Sequence, residues 1–372
     1  MAIYIIIFFL LSVLSMLDLV EVDHLYKKTL FAVILMLLVV ISGLRWETGP
    51  DWDSYYYFYE DIERVVHSST QNFFEPGFTS LNLFFSRLGL SYTTFLFFFA
   101  VITIGLKGLV FGRHRSILFI LLFLYYCYYL ADILSVRQFT AVSICLFGLQ
   151  YIESRKFLPF LCCILLAVSI HVSTALFLLA YWLYQFKWSD RMLSILLIAG
   201  FIVGLIGISE WTIQLAVNLI GVDAATAEKL LKYGDEGLET SHSNPYLSYA
   251  LGILKRAFIL PLLIYGKRYV HLAVLPRYTG YLNLLVLGNV IYFIFILSVP
   301  VVTRLALPFL YMEIFLLAYL LTSLDDFKIR VFILVSIIVF GAFRLYLFMS
   351  PYMDLYVPFQ TIFNEIYDPL RY

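Results

Sequence analysis

The chain has 372 residues, of which 62% are hydrophobic and only 13% charged, and its 25 basic and 25 acidic side chains cancel. A soluble domain of this length would need roughly twice that charge, and a neutral chain without a basic stripe argues against nucleic acid as a partner. The apolar residues fall in blocks suited to a bilayer core about 30 Å thick, which a helix of roughly 20 residues crosses. Stretches such as 29–44 and 331–339 lack the alternation of a barrel strand. The expected fold is therefore all-α, a polytopic membrane helix bundle, with residues 1–372 forming a single integral membrane domain.

In chain order, about twelve spans are expected from block length, near 2–18, 29–44, 92–111, 116–134, 138–152, 157–170, 173–185, 192–208, 246–266, 279–298, 301–322 and 329–350. The first block has no basic n-region and no small-residue cleavage site, so it reads as a retained span. Residues 76–90 are apolar but interrupted by Arg87, which suggests a re-entrant or interfacial segment. Residues 157–185 are open between two short spans, one long tilted helix and a hairpin of half-helices. Two loops are long, 45–75 and 209–245, and the second holds an amphipathic stretch, Ala224–Tyr233. Lys27, Lys28, Lys107, Arg113, Arg115, Arg155 and Lys156, with the basic residues near 187–191, 267–277 and 328–330, mark one set of loops as cytoplasmic. That assignment puts both long loops and both termini outside. Cys127, Cys145, Cys162 and Cys163 lie in apolar blocks without metal or disulfide spacing and read as buried thiols. No metal and no cofactor is expected.

The polar residues that stand out come in short groups. In Gly43–Tyr55, Arg45 offers a planar donor fork for phosphate or carboxylate, Gly49-Pro50 turns the chain, and Asp51 and Asp53 can accept protons or sugar hydroxyls. Tyr55, Tyr56, Tyr57 and Tyr59 add ring faces. The plain alternative is an interfacial aromatic belt with a snorkelling arginine. Glu75-Pro-Gly reads first as a solvated turn or helix cap. Arg137, followed by Gln138, opens a span at a helix N-terminus, against the helix dipole, which is easier to understand with an anion nearby. His171, between Ser169 and Ser173 in an apolar run, is a packed polar residue or a general base. Thr303-Arg304 opens a late span. Arg256 and Arg344 lie within spans, and Glu313 and Lys255 read as structural ion-pair partners.

In order and spacing, these residues resemble the EpsG family of Wzy-like polysaccharide polymerases over about residues 1–345. Arg45-Trp-Glu-Thr-Gly49-Pro-Asp51-Trp-Asp-Ser-Tyr55 resembles the family's Arg-x-x-x-Gly-x-Asp-x-x-x-Tyr, with Pro50 where a threonine is usual. Glu75-Pro-Gly77-Phe, Val136-Arg137-Gln138, Ser169-Ile-His171 and Thr303-Arg304 follow in the family's order. The resemblance implies a bacterial inner-membrane glycosyltransferase, broadly of the C-type fold, with its active side outside the cytoplasm. Its substrates would be undecaprenyl-diphosphate-linked oligosaccharides. Membrane lipids, a flippase and a chain-length regulator would be its surroundings. On this basis His171, Arg137, Arg304 and Asp51 are the catalytic candidates. Arg45, Asp53, Tyr55, Glu75, Gln138, Arg256 and Arg344 are the substrate-binding candidates. A flippase for lipid-linked oligosaccharides and an O-antigen ligase-type transferase are the alternatives. A flippase would carry charge through to both faces and show paired halves, and no internal repeat is visible.

Overall fold

The computed structural model describes residues 1–49, 51–67, 74–206, 245–297 and 300–364. Pro50, the stretch Ala224–Tyr233 and nearly all of the loop 209–245 lie outside the described residues. Contacts divide the chain into two compact units, residues 1–175 with 325–372, and residues 176–324.

The first unit contains helices α1 (Ala2–Ser15), α2 (His24–Gly43), α3 (Trp52–Glu60), α4 (Ile62–His67), α5 (Pro76–Arg87), α6 (Tyr92–Phe111), α7 (Leu118–Tyr128), α8 (Leu130–Ile133), α9 (Arg137–Glu153) and α10 (Phe157–Ile170). The second contains α11 (Ala180–Leu183), α12 (Asp190–Ile206), α13 (Pro245–Gly266), α14 (Leu275–Phe295), α15 (Leu307–Leu310) and α16 (Met312–Thr322). Helices α17 (Phe327–Met349) and α18 (Met353–Tyr356) return to the first unit. Among the described residues the only sheet is two short antiparallel strands, β1 (Arg45–Trp46) and β2 (Gln360–Thr361).

Helix starts follow capping chemistry. Asp23 accepts from the Tyr26 N–H (3.0 Å) to open α2, Ser91 from Thr94 (3.3 Å) to open α6, and Asp326 from Lys328 (2.7 Å) to open α17. Among the described residues, five helical stretches are long and apolar enough to cross a membrane: His24–Gly43, Tyr92–Phe111, Leu275–Phe295, Pro300–Thr322 and Phe327–Tyr356. Ala2–Asp18, Leu118–Tyr128, Phe157–Ile170 and Val172–Leu183 are apolar but shorter. All of α7 is buried, and its sequence is hydrophobic all round, as suits a helix enclosed by others. It packs on α1 and α17, while α2, α6, α9 and α10 pack in succession.

Three expectations are refined. Residues 157–185 are not one continuous helix: α10 ends at Ile170, His171 is extended (φ −154°, ψ 114°), and Val172–Leu179 continues as 3-10 helix into α11. Arg87, which interrupts the apolar run, bonds Glu63 of α4 (3.0 Å), and that bond holds the Glu63 carboxyl below its ordinary range. Cys162 is exposed and Cys163 half-buried, so only Cys127 and Cys145 are the buried thiols expected.

Lys107 is a correction. It is not a loop residue and cannot count toward sidedness, because it lies inside α6 and is fully buried. Its ammonium pairs with Asp132 of α8 (2.8 Å) and donates to Ser143 of α9. Tyr125 of α7 donates to the same carboxylate (2.8 Å). Four helices thus meet on one charge pair, sited five residues before Arg137. Losing one partner strands a buried charge, a defect of about 3–5 kcal/mol. Lys107→Met should therefore sharply lower the unfolding temperature of the purified protein. The pair Lys107→Met/Asp132→Leu should recover part of that loss. Equal stability of wild type and Lys107→Met would show that this pair does not hold the helices.

Candidate functional site

Residues 45–55 are held by backbone geometry. β1 pairs with β2, and the Gly49 N–H donates to the Leu355 carbonyl (2.8 Å). Gly49 has φ +99°, and a Cβ there would lie 2.5 Å from the Leu134 carbonyl oxygen, so only glycine fits. Asp51 is also left-handed (φ 62°), a conformation an aspartate tolerates but does not favour. It begins α3 without a side-chain cap bond, and its side chain is exposed, as is that of Asp53. Strained backbone of this kind concentrates at functional positions.

The tyrosines of this segment divide. Tyr55 and Tyr59 are buried in an aromatic core with Trp52, Phe58, Phe78, Tyr92 and Phe95. Tyr56 stacks on Trp52 (5.1 Å between centroids), and Tyr57 is exposed. Tyr55 packs on Phe74 (5.7 Å) and Phe78 (5.5 Å). The guanidinium of Arg137 lies over the same two rings, 4.3 Å from Phe74 and 5.9 Å from Phe78. The aromatic core therefore connects the 45–55 segment to the start of α9.

Glu75 is not a solvated turn. It precedes Pro76 at the start of α5 but makes no side-chain cap bond there. One carboxylate oxygen accepts from Arg137 Nη1 (2.9 Å), and the other accepts from the backbone N–H of Val172 (3.0 Å). The anion expected beside Arg137, which is the first residue of α9, is thus supplied by the protein. The approach of α5 to the end of α10 needs Gly77, where a Cβ would sit 2.6 Å from the Ser169 carbonyl oxygen.

His171 is buried at the break after α10. Its Nδ1 accepts from the Ser173 N–H (3.2 Å) and stands 3.8 Å from Glu75. A ring nitrogen that accepts carries no proton, so the neutral imidazole holds its proton on Nε2.

Arg45 does not snorkel. It is 2% exposed, and its Nη1 donates to the Ser42 carbonyl (2.6 Å). Burial lowers its pKa to about 10, which leaves it charged at neutral pH, with the phenols of Tyr92, Tyr4 and Tyr55 near enough to raise it in part. Arg45 Nε, Trp52 Nε1, Arg137 Nε and Gln138 Nε2 are buried donors that no acceptor among the described residues meets. Folded proteins seldom leave such atoms unsatisfied, and buried N–H donors of this kind suit an anion.

Arg344 lies over the Tyr128 ring (4.0 Å) in the first unit. In the second unit, Arg256 is satisfied by Asn289 (2.8 Å), the Gly252 carbonyl (3.1 Å) and the Tyr292 ring (3.4 Å). It borders an apolar cavity of about 420 Å³ walled by α12, α13 and α14. Lys255 and Glu313 form the expected ion pair (2.9 Å). Arg304 is exposed on a 3-10 turn, Pro300–Ala306. Among the described residues no His, Cys, Asp or Glu cluster has the makings of a metal site. Phe74, Ser173 and the Val172 N–H belong to the site and were missed in the sequence. Phe74 and Ser173 flank Glu75 and His171 so closely that their positions alone pointed to them.

A family model described as the EpsG family matches residues 28–361, which include Arg45, Trp52, Glu75, Arg137, Gln138 and His171. No curated protein and no solved structure matches the chain.

Glu75 joins α5, α9 and the α10 break through charge-assisted bonds, each worth about 1.5–3 kcal/mol. Glu75→Gln keeps an acceptor for Val172 but leaves the Arg137 charge unpaired, and its unfolding temperature should drop. Glu75→Asp, one methylene shorter, should fail to reach both partners and drop comparably. Thermal unfolding of purified variants tests this, and wild-type stability in both would remove Glu75 from its bridging role.

Proposed function

Because the chain belongs to the EpsG family of Wzy-like polysaccharide polymerases, we propose that it joins oligosaccharide repeat units carried on undecaprenyl diphosphate. The transfer takes place at the outer face of the bacterial inner membrane. One observation carries the substrate class: the unmet buried donors of Arg45, Arg137 and Gln138 sit in the motif segments, where phosphate oxygens would satisfy them. The remaining expected spans and a C-type transferase fold belong to the same proposal.

In this mechanism the donor's glycosyl–phosphate bond breaks as an acceptor sugar hydroxyl attacks the anomeric carbon, with inversion. Negative charge grows on the departing diphosphate. Donors fixed in advance stabilise it without reorganising, and in a partly dry cavity they are worth more than in water. Glu75 takes one Nη of Arg137 and the aromatic rings take its face, so the guanidinium is aimed before substrate arrives. His171 offers its Nε2 proton to an oxygen of donor or acceptor. The acceptor's own proton goes to Asp51, whose exposed carboxylate is not used to cap α3. Tyr57 offers a ring for a sugar face.

Deleting the chain should leave single repeat units on their lipid at the outer face; their absence there would favour the flippase reading. In point variants, Asp51→Asn should cut turnover of a lipid-linked donor about a hundredfold or more, as loss of a general base does. His171→Gln keeps a side-chain N–H and should retain most turnover. Arg137→Lys should be nearly as inactive as Arg137→Ala, because lysine lacks the fork. The measurements are glycan length in cells and turnover by purified protein. An inactive His171→Gln beside an active Asp51→Asn would exchange the two roles.

Sidedness has a separate test. In a background without the four native cysteines, Glu60→Cys should react with an impermeant thiol reagent in intact cells, and Ser116→Cys should not. Both positions are exposed. The opposite pattern would invert the topology.

A further inference from the structure

At the other end of α2 from Arg45 lies a second cavity, of about 390 Å³, between α2 and α6. Twenty residues separate the helix ends, a rise of about 30 Å. The mouth of this groove carries Lys27, Lys28, Arg113 and Arg115, and no acidic side chain lines it. Lys27 is tied to Asp18 (3.4 Å), and Arg113 bonds Gln150. Lys28 and Arg115 are exposed and have no ion-pair partner among the described residues.

Below the mouth the groove turns apolar. Its floor includes Gly105 and Gly108 of α6. A Cβ at Gly108 would strike the Leu35 side chain, so this glycine lets the two helices approach. A Cβ at Gly105 would meet nothing within 4 Å. Glycine inside a helix is less stable than alanine by about 1 kcal/mol, and no protein atom fills the space at Gly105.

We propose that this groove binds one anionic glycerophospholipid. Its phosphate lies against Lys28, Arg113 and Arg115, and one acyl chain lies along the open strip at Gly105. The pairing of four cationic side chains with an apolar slot matches a charged headgroup joined to a hydrocarbon tail. It fits neither a soluble anion, which has no use for the slot, nor a zwitterionic lipid, whose ammonium the cationic mouth repels. The site is separate from the donors around Arg45 and Arg137 and does not depend on the polymerase reading.

Purified protein in detergent, titrated with dioleoylphosphatidylglycerol or dioleoylphosphatidylcholine and read by native mass spectrometry, tests the proposal. One phosphatidylglycerol should be retained at least tenfold more tightly than phosphatidylcholine. Lys28→Gln/Arg115→Gln should weaken that retention about 25-fold, roughly fivefold for each surface charge of about 1 kcal/mol. Gly105→Leu should expel the lipid by filling the slot. Should Gly105→Leu misfold, the surface double variant decides alone, because neither of its side chains holds the fold together. Equal retention of the two lipids, or wild-type retention by the double variant, would overturn the site.

Discussion

The Glu75 carboxylate joins residues 62 and 97 positions away in the chain, the Arg137 guanidinium and the Val172 backbone N–H. Without it, three segments lose their common point. The Arg137 charge would face the positive end of its own helix unopposed, and the broken segment after α10 would lose an acceptor for an exposed N–H. The bridge also needs close contact between backbones, which Gly77 permits and a side chain there would prevent. The aromatic core adds the fourth connection: the rings that carry Arg137 are the rings on which Tyr55 rests. A change at Tyr55 therefore reaches Arg137 through Phe74 and Phe78 without touching any charge.

Two kinds of buried charge coexist in the first unit, and their partners distinguish them. Lys107 and Asp132 satisfy each other and draw in Tyr125 and Ser143. Nothing about that arrangement invites a ligand. Through Ser143 the pair also ties α6 to α9, the helix that Arg137 opens. Arg45 and Arg137 instead keep donors that the protein does not use. Leaving them so is unfavourable, and the anion proposed above would recover that term. Arg256, ringed by three partners, resembles the first kind in spite of its position beside a cavity.

The break at His171 serves a related purpose. A continuous helix would bond every N–H to its own carbonyls and present only side chains. By becoming extended at one residue, the chain frees the Val172 N–H for Glu75 and turns the Ser173 N–H toward the imidazole. Irregular backbone needs other protein groups to satisfy it, and here the groups that do so are Glu75 and His171. The tautomer follows from the same backbone turn, so the proton position on His171 is set by the main chain.

The sequence by itself determined that this is a helical chain built for a bilayer, because block length and sparse charge leave little else, and that Arg45, Asp51, Glu75, Arg137 and His171 form an ordered series. It also placed a span start at Arg137, where a nearby anion would offset the clash with the helix dipole. It did not determine which anion. A carboxylate before Pro-Gly looks like a solvated turn until the chain returns 62 residues later. Lys107 looked like a loop charge because its partner, Asp132, comes from a different helix. Tyr55 looked like an open ring because aromatic residues read alike whether they face sugars or each other. Partner identity and burial depend on groups far apart in the chain, so only tertiary structure decided them.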